Sequence, residues 1–130
     1  MKLRHPTDKY LFADTGTGVS MYHPSGYLIP DEEPILIFRA KDLGVLAAMT
    51  AYLDMLVEQE PNATIKDHLI SMLHVGSAIT EYQTHKNVKS VTCSVKAHQS
   101  TVGMLRADYA SARAIAVDHL AKQYNYIVKE

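Results

Sequence analysis

The chain has no tryptophan and a single cysteine, Cys93, among 130 residues. One thiol cannot close an intrachain disulfide, which fits a reducing compartment. No stretch comes near the roughly 18 uninterrupted apolar residues of a membrane-spanning helix. The opening segment MKLRHPTDKY is positively charged but has no apolar core, so it does not read as a secretory signal. Neither sign of charge is in excess: 13 Lys and Arg stand against 14 Asp and Glu, a net charge of −1. Such a balance supplies no general basic field for nucleic acid. Linkers, internal repeats and low-complexity tracts are also missing. These absences point to a cytoplasmic protein with no membrane and no nucleic-acid partner.

Apolar residues make up 47% of the chain and charged residues 21%, which is ordinary globular usage and argues against disorder. A chain of this length is expected to form one domain, 1–130, and to bury roughly two thirds of its unfolded surface.

Residues 9–13 and 19–23 read as two short strands around Gly16 and Gly18, whose glycines suit a hairpin turn. Pro30 and Pro34 frame a loop, since proline offers no amide donor. Residues 35–40 carry Ile35, Leu36, Ile37 and Phe38 in an unbroken run, so the pattern predicts a central strand covered on both faces. Asp42 is the predicted N-cap of a helix reaching about Glu60. Leu43, Leu46, Met49, Leu53 and Leu56 fall on one helical face. Pro61 and Asn62 end that helix, and a second runs from near Thr64 to about His85. Gly76 inside it marks close packing. Residues 87–95 favour strand, with Cys93 in its middle. Ser100 or Thr101 then caps a third helix to about Tyr124, with a seam of Val102, Leu105, Tyr109, Ala112, Ala116 and His119. Either the core or a subunit contact suits so many small residues. The expected fold is α+β: a small antiparallel sheet packed against a helical hairpin and a C-terminal helix.

Several constellations bear on chemistry. Arg106, Tyr109 and Arg113 share one side of the third helix. Two guanidiniums flanking a phenol suit a nucleotide, since the forks grip phosphate and the ring stacks a base. The plainer alternative places Tyr109 in the core with the arginines reaching out from its edges. Arg39 and Lys41 stand at a strand-to-helix junction, where a helix N-terminus adds positive potential for an anion. Alternatively Asp42 caps that helix and Arg39 pairs with an acidic neighbour. Among the histidines, only Glu81 and His85 show a metal-binding i,i+4 spacing, so neither a metal nor another cofactor is expected. His119 reads as an interface histidine. Cys93 reads as an inert small residue. The Thr15-Gly16-Thr17-Gly18 loop lacks the Lys-Ser/Thr of a phosphate loop. The eight tyrosines suit a half-buried sheet edge, a protein interface or base stacking.

The segment from Tyr22 to about Gln59 resembles a type of small protein found in bacteriophages and prophages. Those carry Ile-Pro-x-Asp-Glu-Pro, an apolar strand, Arg-Ala-x-Asp and then a helix. Here the pattern stands as Ile29-Pro30-Asp31-Glu32-Glu33-Pro34 and Arg39-Ala40-Lys41-Asp42, with one extra acidic residue. The resemblance covers under a third of the chain and implies a phage origin. In size and residue types the chain is also similar to phage sponge proteins, compact homo-oligomers that sequester nucleotide signals of bacterial immunity. That analogy implies a non-enzymatic accessory protein with a nucleotide ligand, held by Arg39, Lys41, Arg106, Tyr109, Arg113 and His119. The rival expectations are a protein-binding inhibitor or structural phage component, and a histidine-metal hydrolase.

Overall fold

The computed structural model of the chain describes residues 11–14, 19–22, 29–30 and 32–129. The chain divides between Ile37 and Phe38 into two compact units. In the first, β1 (Leu11–Asp14) and β2 (Val19–Tyr22) pair antiparallel, with Leu11 opposite Tyr22 and Asp14 opposite Val19. The intervening Gly16 and Gly18, with residues 9–10 and 23–28, lie outside the described residues.

The second unit is built from three helices and a very short hairpin. Helix α1 (Gly44–Glu58) buries Val45, Leu46, Met49, Leu53 and Leu56. Those positions recur at helical spacing, so one face turns inward along the whole element. The helix stops at Gln59, whose backbone is extended, and Pro61 follows. Helix α2 (Ala63–His85) starts at Asn62, whose side-chain oxygen accepts the Ile65 amide at 2.9 Å. It ends at Asn87, which takes a left-handed φ of 52°. The Val88 amide then returns to the Gln83 carbonyl and the Asn87 amide to Thr84. This is the Schellman closure, with asparagine standing where glycine is usual and Val88 buried beyond it.

Strands β3 (Ser90–Val91) and β4 (Val95–Lys96) follow, with Ser90 opposite Lys96 and Val91 opposite Val95. Helix α3 (Gln99–Tyr124) closes the unit and packs most heavily on α1. Asn125, at φ 51°, terminates it. The core gathers Leu43, Leu46, Leu53 and Leu56 with Leu69 and Leu73 of α2 and Tyr109, Ala112, Ala116 and Leu120 of α3. Ala112 and Ala116 are buried within the single chain, so the small-residue seam is core. No described helix is long and apolar enough to cross a membrane.

The architecture is thus broadly α+β but mostly helical, and its sheets are two-stranded. Three expectations need correction. Residues 35–40 form no strand, and Ile35, Leu36, Ile37 and Phe38 are exposed. A run that is apolar on every side needs cover on both faces, and no described strand pairs with it. Residues 87–95 are not one strand either. They turn back on themselves, with Thr92 and Cys93 at φ 54° and 67°. Cys93 therefore sits at a hairpin tip. Finally, α3 begins after His98, and neither Ser100 nor Thr101 caps it.

Candidate functional site

The turn that launches α1 is tied to the hairpin and to α2. Asp42 Oδ1 accepts the Gly44 amide at 2.7 Å and the Thr92 amide at 2.9 Å. The Leu43 amide donates to the Ser90 carbonyl, and buried Gln83 of α2 donates to the Ala40 carbonyl at 3.1 Å. Asp42 thus caps from one residue further out than a regular N-cap, and Leu43 occupies the N-cap position itself. Because this carboxylate already takes the first free amide of α1, the helix start offers less to a foreign anion. Arg39 and Lys41 flank it as exposed side chains.

The predicted Arg106–Tyr109–Arg113 triad does not assemble. Tyr109 is 4% exposed and belongs to the core, so its ring is not available to stack a base. Its hydroxyl is buried against α2 over Gly76, with no hydrogen-bond partner among the described residues. A methyl group at Gly76 would collide with that hydroxyl, which is why the position is glycine. Burial pushes the Tyr109 phenol above its ordinary value of 10.0, and the Arg113 charge partly opposes the rise. The two arginines face different clefts. Arg113 donates to Ser77 Oγ at 3.2 Å and lines a small cleft of about 150 Å³ with His74, Tyr126 and Lys129. Arg106 donates to the Val88 carbonyl at 3.1 Å. His119 is half-buried at the far end of α3, edge-on to Tyr124 at 5.8 Å between ring centroids, and its Nε2 has no hydrogen-bond partner among the described residues.

The structure assembles a different cluster around Arg106. An open cleft of about 540 Å³ is lined by Lys89, Lys96, Ala97, His98, Gln99, Val102 and Arg106. The hairpin builds it: β3–β4 pairing brings the Ala97 amide to the Lys89 carbonyl at 2.9 Å, so both Lys89 and Lys96 reach the cleft. The start of α3 follows directly, and its first turn has no side-chain cap. The lining holds three permanent cations and a histidine but no carboxylate. Its volume lies within the range of small-ligand sites. Lys89, Lys96 and His98 are exposed, so the cleft is accessible.

Sequence reasoning found Arg106 and missed Lys89, Lys96 and His98. The signal was present, because two lysines seven positions apart, one on each side of the chain reversal, become neighbours once 90–96 is read as a hairpin. It was hidden because the turn carries Thr92 and Cys93 instead of glycine or asparagine at its left-handed positions. Among the described residues, no three His, Cys, Asp or Glu side chains converge as a metal site. Comparison with protein-family models, curated proteins and solved structures found no match.

Proposed function

We propose that the protein is a non-enzymatic binding module for a small phosphorylated ligand, seated in the cleft of Lys89, Lys96, His98 and Arg106. The observation that carries this reading is one accessible cleft with three permanent cations and no carboxylate in its lining. Lysine and arginine side chains gathered without counter-charge attract a multiply charged anion, and the arginine fork grips phosphate oxygens in a defined geometry. The uncapped amides at the start of α3 favour the same sign of ligand. Ala97 and Val102 give the cleft an apolar floor for the uncharged part of the ligand. The lining holds no carboxylate and no nucleophilic Ser, Thr or Cys, and His98 is its one ring. Cations around a single imidazole favour holding a ligand over converting it, and His98 is the side chain against which a base would stack. With the resemblance at residues 22–59, it becomes sequestration of a nucleotide signal of host defence by a phage protein in the host cytoplasm.

Native mass spectrometry with inorganic pyrophosphate and a panel of linear and cyclic nucleotides tests the reading. The expected result is a discrete, stable added mass that weakens at least tenfold in Lys89→Ala/Lys96→Ala, two exposed positions whose truncation leaves the fold intact. Uptake that is indifferent to both lysines, or no uptake from the whole panel, overturns the assignment. A ligand that is bound and then converted makes the protein an enzyme.

A further inference from the structure

Among the described residues, 35–38 are the longest consecutive run of exposed large hydrophobic side chains. Ile35 is 47% exposed, Leu36 81%, Ile37 63% and Phe38 42%. They lie in no helix and pair with no strand, and their amides and carbonyls have no partner among the described residues. β-Branched and aromatic side chains favour a strand, and an unpaired apolar strand is a template for another. The charges at its two ends select the partner. Glu32 and Glu33 precede the run, while Arg39 and Lys41 follow it.

We infer that this segment pairs antiparallel with the same segment of a second copy of the chain, making an isologous dimer. A two-fold axis between Leu36 and Ile37 sets Ile35 opposite Phe38 and Glu32 opposite Lys41. An axis through Ile37 sets Leu36 opposite Phe38 and Glu33 opposite Lys41. The first register keeps apolar opposite apolar throughout residues 35–38 and brings the acidic end of one copy to the basic end of the other, which stabilises cross-strand neighbours, whereas the second sets Ile35 opposite Arg39 and Glu32 opposite Asp42 and is disfavoured. A parallel, in-register pairing would stack like charges at both ends and is disfavoured for the same reason. Pro34 lacks an amide donor, and Glu32, Glu33 and Lys41 lie in the turns that bound the run, so the ladder is confined to the apolar residues, the charged side chains meet just beyond it at both ends, and the two-fold axis closes the contact. Only this segment enters the pairing, and it is independent of the cation-lined cleft.

The test is sedimentation of the full chain across a concentration series, with helix content followed by circular dichroism. The wild type is expected to be dimeric, and Leu36→Glu to be monomeric with unchanged helix content. Charge reversal then tests the register. Glu32→Lys/Glu33→Lys makes both ends basic, and Arg39→Glu/Lys41→Glu makes both ends acidic. Each variant alone is expected to weaken the dimer at least tenfold, and mixing them to restore it as a heterodimer. A wild type that stays monomeric at about 100 μM, well above the micromolar range of a weak specific complex, overturns the inference. So does a dimer unmoved by Leu36→Glu, or one in which both charge variants self-associate like the wild type.

Discussion

Two apolar stretches stand only a few residues apart and meet opposite fates. Residues 35–38 are apolar at every position and lie exposed, whereas residues 43–56 are apolar at intervals and supply five of the buried side chains of α1. Density of apolar residues therefore does not place a segment in the core. What places it is a period that matches an element, so that one face turns inward while the other stays wet. Leu43, Leu46, Leu53 and Leu56 meet that condition, and Ile35, Leu36, Ile37 and Phe38 need covering on two sides at once.

The contrast breaks most sharply under alanine. Leu46→Ala should cost about 3 kcal/mol in denaturant melts, through lost transfer energy and the cavity left behind. Leu36→Ala should move the monomer by less than about 0.5 kcal/mol, as at other exposed sites. Equal losses at the two positions would mean the exposed run is packed after all. Next in size comes the contact of α2 with α3. Gly76→Ala should cost about 1–2 kcal/mol, since overpacking against Tyr109 outweighs the gain in helix propensity. Tyr109→Phe in the same chain should recover part of it, and strict additivity of the two changes would disprove the contact. At the α1 start, Asp42→Ala should cost about 1 kcal/mol. Asp42→Asn should cost less, because an amide oxygen still accepts from Gly44 and Thr92.

The smallest effect sharpens the comparison from inside the core. Tyr109→Phe alone removes a buried hydroxyl that has no partner among the described residues, so a gain of about 1 kcal/mol is expected. The phenol also sets an alkaline limit. Its folded-state pKa is raised, so its contribution is complete below the unfolded value near 10 and is lost as pH rises through the folded value. Melts between pH 9 and 12 should show that decline in the wild type and a shallower one in Tyr109→Phe.

Where periodicity decides, the sequence was legible. The three helices, the close packing at Gly76 and the seam through Ala112 and Ala116 all follow from spacing. What failed to read had a local cause. The hairpin at 90–96 was masked because Thr92 and Cys93 carry positive φ without being glycine. Tyr109 allowed two readings, a ligand residue between two arginines or a core ring with the arginines at its edges, and its burial matches the second. The spacing does not say how far the helix is rolled toward its neighbours, and that roll buries the ring and sends Arg106 and Arg113 to different clefts. Lys89 and Lys96 could be joined only once the chain reversal between them was known.

The carboxylate of Asp42 also has a bearing on the order of events in folding. It serves Gly44 at the start of α1 and Thr92 at the hairpin tip, groups separated along the chain, with the second 50 residues away. Helix α1 can form early from its own residues, but this anchor is complete only after α2 has formed and the chain has come back around it. Closing a loop of that length carries an entropic cost that local structure does not repay. The pairing of Ser90 with Lys96 is local, so it is the seating of the hairpin against the start of α1 that carries the long-range cost.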